Sequence, residues 1–253
     1  MCIIIYKPEN QTVPKDILEE SWFNNPDGGG FMYPDGNKLI IKKPYFDFDQ
    51  FYNDYIKYEN YPVVIHFRIS TSGRNDKLNT HPHRINPKLG FVHNGIFSGL
   101  GNKHYSDTVE LTRKLQTFPK SFWADKNYQF FLDNYFIQNH SKGILMNNSG
   151  KIYIINEKAG TWDKGIWYSN TTYKAYSNLV KYTYDWDTSA PYKCNKQYHV
   201  DKAGKFTVDD SCELCGEDIA TRFLNYYGEI YNVCSECYEL ESEYQKTYND
   251  TLS

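Results

Sequence analysis

The chain predicts a layered α+β domain over residues 1–190, a linker over 191–208 and a small cysteine-bearing module over 209–245. Three observations lead there. Short β-branched and aromatic runs come first, two amphipathic helical segments follow, and short strands return after them. At 253 residues the chain is long enough for one large core and an appendage. Cys2 is the only cysteine of the first 190 residues, whereas Cys212, Cys215, Cys234 and Cys237 gather in two Cys-x-x-Cys pairs near the end.

The elements follow in order. Cys2-Ile3-Ile4-Ile5-Tyr6 reads as a buried strand, because β-branched side chains favour the pleated backbone. Pro14 suits a first helical turn, and Ile17, Leu18 and Trp22 give a short helix its apolar stripe. Asn24-Asn25-Pro26-Asp27-Gly28-Gly29-Gly30 breaks that helix sharply. Phe31-Met32-Tyr33, the turn Pro34-Asp35-Gly36-Asn37 and Lys38-Leu39-Ile40-Ile41 form a hairpin. Phe48, Phe51, Tyr52 and Tyr55 then recur at helical spacing over residues 47–58.

Pro62-Val63-Val64-Ile65-His66-Phe67-Arg68 is a strand of buried type, and another begins at 89 and ends at Asn94-Gly95. Ser106 caps a helix that carries Val109, Leu111 and Leu115, and a second helix occupies the 120s and 130s. Residues 143–155 form a hairpin around Asn147-Asn148-Ser149-Gly150. Short strands are expected at 165–169 and near 173–177.

Composition narrows the function. Hydrophobic residues at 40% and charged residues at 23% fit a folded soluble protein. A net charge of −3 gives no reason to expect nucleic-acid binding. No stretch approaches the roughly 20 apolar residues of a membrane span, and no signal-peptide pattern opens the chain, so a cytoplasmic protein is expected.

Paired cysteines without a secretion signal are read as metal ligands before disulfides. The 18 residues between the two pairs suit a structural tetrahedral zinc held by Cys212, Cys215, Cys234 and Cys237, as in a ribbon or knuckle. Four ligands leave no position open for water. Residues 201–245 hold 4 Asp and 7 Glu against 2 Lys and 1 Arg, a net charge of −8, so the module suits a protein contact better than phosphate. Cys194 has no evident partner and reads as structural.

Cys2 carries the chemistry. Methionine is readily removed before a small residue, which would leave a thiol and a free α-amine on one residue. Their reference pKa values, about 8.5 and roughly 7.7–8.0, allow proton transfer between them near neutral pH. Polar motifs interrupt the later strands at their ends: Arg68-Ile69-Ser70-Thr71-Ser72-Gly73, Asn79-Thr80-His81-Pro82-His83, His93-Asn94-Gly95 and Ser106-Asp107-Thr108. Each alone has an ordinary reading as a surface cation, a satisfied histidine, a turn or a helix start.

Together with Cys2, and in this order, they resemble the class II glutamine amidotransferases, whose glutaminase domain is an N-terminal-nucleophile hydrolase. Asp27-Gly28-Gly29-Gly30-Phe31 is similar to the Asp-Gly-x-Gly segment of that family. The resemblance covers residues 2–115 by motif and extends to 185 by element order. It implies a four-layer αββα sandwich in which Cys2 attacks the side-chain amide of glutamine, releasing ammonia and forming a thioester. It assigns the oxyanion donors to the Asn94 side chain and the Gly95 N–H, the α-carboxylate to Arg68, the α-ammonium to Asp107, a hydroxyl contact to Thr71 and pocket orientation to His81.

The chain departs from the family pattern at three positions in two motifs. Ile3 replaces the glycine of Cys-Gly-Ile, and Ile69 and Ser72 stand where many members carry tryptophan and histidine. Three functions stay open on these residues. The first is glutamine hydrolysis with ammonia passed to a separate synthase. The others are an amidohydrolase acting on a γ-glutamyl conjugate, and a non-catalytic binding protein that recruits a partner through its zinc module.

Overall fold

A computed structural model describes residues 2–70, 76–102, 105–174, 222–226, 229–235, 238, 239 and 242. Chain order runs β1 (Ile3–Lys7), α1 (Lys15–Phe23), β2 (Gly29–Asp35), β3 (Lys38–Tyr45), α2 (Phe48–Tyr55), β4 (Val63–Phe67), β5 (His83–Asn86) and β6 (Leu89–Asn94). It continues with α3 (Asp107–Gln116), α4 (Lys126–Gln138), β7 (Lys142–Asn147), β8 (Ile152–Ile155), β9 (Thr161–Asp163) and β10 (Ile166–Tyr168). A last hairpin pairs β11 (Arg222–Tyr226) with β12 (Glu229–Val233).

The fold is α+β with antiparallel sheets. One sheet has the order β3-β2-β4-β1-β10-β9 and the other β5-β6-β7-β8. Side-chain caps start three of the helices. Asp47 caps α2 by accepting from Gln50 N, Ser106 caps α3 through Val109 N, and Asp125 caps α4 through Asn127 N and Tyr128 N. Pro14 precedes α1 without a side-chain cap, and α2 passes into a 3-10 turn at Ile56–Tyr58.

Strand alternation sorts the apolar residues into separate cores. Ile3, Ile5, Ile65 and Phe67 face one way and pack with Leu18 of α1 and Phe51 and Tyr55 of α2. Phe91 and Leu145 pack with Leu111 and Leu115 of α3 and with Leu132 and Phe136 of α4. Ile4, Met32, Val64 and Trp167 of the first sheet meet Val92, Ile144, Met146 and Ile154 of the second. Each such side chain, fully buried, contributes roughly 1.5–3 kcal/mol.

Both expected hairpins form, although β2 extends through Pro34 and Asp35 before its turn. Two strands escape the sequence reading. In β5, His83-Arg84-Ile85-Asn86 has too few apolar residues to signal a strand, and β9 is a short edge strand. Residues 171–174 form a turn where a strand near 173–177 was expected, and 175–177 lie outside the described residues, as does the linker. Among the described residues no helix is long and apolar enough to cross a membrane.

Candidate active site

The inter-sheet core changes chemistry at one end. Its rows pass through Ile4 of β1, Val64 of β4, Val92 of β6 and Trp167 of β10. Two residues further along the same rows stand Cys2, His66, Asn94 and Ser169. Because β4 and β10 both run antiparallel to β1, the start of β1 lies beside the ends of the other two. Cys2 sits one step beyond the Ile3–Phe67 pair, so Arg68 is its cross-strand neighbour.

Ser169 ties the sheets together here. Its Oγ accepts from Ile4 N at 2.8 Å and from Asn94 Nδ2 at 2.7 Å, and its own N–H donates to Ile4 O at 2.9 Å. Asn170 Nδ2 donates to Cys2 O at 2.7 Å and fixes the backbone of the cysteine. Sequence reasoning missed both residues. Their signal was a polar pair at the end of an apolar strand, the same signal that marks His93-Asn94.

The Cys2 thiol donates to Ile69 O at 3.4 Å. Burial pushes its pKa up, and the Arg68 guanidinium acts against that shift. Arg68 is only 3% exposed. Its backbone is bonded to the Asp27–Gly28 turn, with Asp27 N donating to Arg68 O at 2.9 Å and Arg68 N to Gly28 O at 2.8 Å. Asp27 Oδ2 accepts from Ser70 N at 2.6 Å. Burial lowers the Arg68 pKa, while the Cys2 sulfur and the carboxylates of Asp76, Asp27 and Asp107 favour its charge.

Asp107 opens α3 and faces the same cleft. Its Oδ2 accepts from Phe97 N at 2.8 Å and its Oδ1 from Thr108 N at 2.9 Å, so the carboxylate holds the turn that follows Gly95. Burial raises its pKa against those bonds and Arg68. Gly95 has φ +148°, and an added Cβ would meet the Ser141 side chain, with Ser141 Cβ at 2.7 Å. Only glycine fits there, and its backbone is thereby fixed beside Asn94.

Asn79 links these parts. It donates from its N and Nδ2 to Asp76 Oδ1 at 2.8 and 3.0 Å, and its Oδ1 accepts from Ser106 N at 2.6 Å. The resulting cleft is lined by Cys2, Arg68, His81, Gly95 and Asp107, among others. His81 stacks on His66, with ring centroids 3.9 Å apart. His66 and His93 are both held at about 3, in each case chiefly by burial, so both rings are neutral at neutral pH.

Of the sequence-predicted residues, Cys2, Arg68, His81, Gly95 and Asp107 converge on this cleft, and Asn94 lies beside it. Thr71 falls outside the described residues. Cys212, Cys215 and Cys237 fall outside them as well. Cys234 is buried after β12, and Tyr238 N donates to its carbonyl at 3.0 Å. Among the described residues no group of three or more His, Cys, Asp or Glu side chains could hold a metal ion. No protein-family model and no curated protein matches the chain.

Proposed function

We propose that the protein hydrolyses the side-chain amide of glutamine to glutamate and ammonia, with Cys2 as nucleophile, in an N-terminal-nucleophile hydrolase of the class II glutamine amidotransferase type. One observation carries the reading. A cysteine at the chain start, a buried arginine, a buried carboxylate and a conformationally fixed Asn-Gly pair surround one small cleft. These groups match the needs of amide hydrolysis on an amino acid. Arg68 grips the α-carboxylate and Asp107 the α-ammonium. The second N–H of Asn94 Nδ2, left over from Ser169, and the Gly95 N–H stabilise the oxyanion.

Two sheets facing each other across an apolar core, with helices packed on both outer faces, support the four-layer αββα arrangement. The Cys2 α-amine takes the thiol proton as sulfur attacks the amide carbon and hands it to the nitrogen as the carbon–nitrogen bond breaks, and water then cleaves the thioester to give glutamate and the free thiol. Ammonia then passes to a separate synthase or other acceptor. A structural zinc on Cys212, Cys215, Cys234 and Cys237 completes the proposal, and metal analysis finding no zinc would reject that part.

The test is covalent labelling with a glutamine-mimicking electrophile, read by intact mass. Labelling is expected at Cys2 after loss of Met1, with protection by glutamine. Cys2→Ala is expected to abolish amide turnover while leaving the unfolding midpoint nearly unchanged. Met1 retained in active protein, or turnover by Cys2→Ala, would reject the mechanism.

A further inference from the structure

The oxyanion site keeps one degree of freedom that its backbone does not fix. Asn94 ends β6, where its main chain pairs with Lys142 of β7. His66 Nε2, 3.1 Å from His93 O, holds the peptide that joins His93 to Asn94. Gly95 is fixed against Ser141 on the other side. What remains is the side chain of Asn94. The last torsion of an asparagine has no sharp staggered wells, so the torsion itself chooses the amide orientation only weakly.

One hydrogen bond makes that choice. Asn94 Nδ2 donates to Ser169 Oγ at 2.7 Å, and Asn94 Oδ1 has no hydrogen-bond partner among the described residues. Ser169 is fully buried, and its hydroxyl is located from another strand. Ile4 N of β1 donates to the same Oγ at 2.8 Å. A serine oxygen accepts two such bonds, and both are filled here. The Asn94 amide of the second sheet is thus referenced, through one oxygen atom, to the strand that follows Cys2.

The next residue grips the cysteine. Asn170 Nδ2 donates to Cys2 O at 2.7 Å. Asn170 Oδ1 accepts from Thr172 N at 3.0 Å and from Thr172 Oγ1 at 2.7 Å, which fixes the end of this amide that carries the nitrogen. Two consecutive residues after β10 therefore hold the two halves of the site, the oxyanion amide and the nucleophile.

We propose that Ser169 is a positioning residue for amide hydrolysis. Its hydroxyl orients Asn94 so that the remaining Nδ2 N–H meets the oxyanion formed when Cys2 attacks. The assignment rests on the amidase reading above. In this role Ser169 acts through Asn94 and not on the substrate. Without the hydroxyl, the amide turns about its last torsion and can set its oxygen, which repels an oxyanion, where the N–H belongs. The strand stays in place, because Ser169 N still donates to Ile4 O at 2.9 Å and Asn170 still holds Cys2.

The experiment is a double-variant cycle on glutamine turnover, counted per Cys2 that iodoacetamide can alkylate. Alkylation displaces iodide and forms no oxyanion, so its rate reports the thiol and the folded site independently of Asn94. Ser169→Ala is expected to lower kcat about 10–10²-fold, the cost of a misplaced group, with KM and the alkylation rate little changed. Asn94→Ala is expected to lower kcat about 10²–10³-fold. In the Asn94→Ala background, Ser169→Ala is expected to cost almost nothing further, because the group it orients is gone. Ser169→Thr keeps the hydroxyl and is expected to turn over close to wild type.

Losses that multiply in the double variant, a loss expressed in KM, or unchanged kcat in Ser169→Ala would overturn the role of Ser169 alone. So would a Ser169→Thr variant that falls as far as Ser169→Ala. A Ser169→Ala protein with no alkylatable Cys2 would show a hydroxyl needed only for folding, and would overturn it too. A wild-type protein without amide turnover would overturn the amidase reading and this role with it.

Discussion

The middle of the inter-sheet core and its Cys2 end are built by the same strands, yet they hold opposite chemistry. In the middle, Ile4, Val64, Val92 and Trp167 are fully buried in the apolar core between the two sheets. Two residues further along the same rows, Cys2, His66, Asn94 and Ser169 replace them, and His66 Nδ1 and Asn94 Oδ1 lack hydrogen-bond partners among the described residues. The first region contributes roughly 1.5–3 kcal/mol per side chain. The second loses about 1–3 kcal/mol for each orphaned group. Stability in one stretch of a strand thus supports a costly constellation in the next.

The largest expected effect lies in the apolar half. Ile144→Ala removes a fully buried side chain from the inter-sheet core and is expected to cost about 2–5 kcal/mol of stability by chemical denaturation. Under saturating glutamine the surviving folded protein should keep its turnover. A loss of turnover larger than the loss of folded protein would break the separation between the two regions.

Gly95→Ala tests the polar half. Its Cβ would collide with Ser141, displacing the N–H assigned to the oxyanion, and turnover is expected to fall about 10²–10³-fold. Turnover close to wild type would remove Gly95 from the oxyanion site.

The smallest effect sharpens the contrast through pH. His66 is held at about 3, mainly by burial, against an ordinary value near 6.5. Between those values the unfolded state binds a proton at this residue and the folded state does not. Stability therefore falls as pH drops from about 6.5 toward 3, by at most about 1.4 kcal/mol per pH unit for each such histidine. His66→Gln is expected to flatten that slope in acid-unfolding titrations, and an unchanged slope would show that His66 does not carry it.

Legibility followed the range of the interactions. The β1 run, the Ser106 cap and the 143–155 hairpin depend on neighbours within a few residues, and all were readable. The strand β5 was not, because His83 and Arg84 are held in it by pairing with Phe91 and Gly90 rather than by their own propensity. At the site, Cys2, Arg68, Asn94 and Asp107 were legible through motif order. Ser169 was not, since its partner Asn94 is 75 residues away.

Sequence alone determined most of the secondary elements, the Ser106 cap and the residue types available for chemistry at the strand ends. Those follow from periods of two and 3.6 residues and from single-residue preferences, all local. Tertiary structure alone decided which strand ends share one end of the core and which of their side chains meet there. Antiparallel pairing set the start of β1 against the ends of β4 and β10, and a one-residue slip in register would turn Cys2 away from the cleft. Register depends on contacts between distant segments, and so it appears only when the sheets have formed.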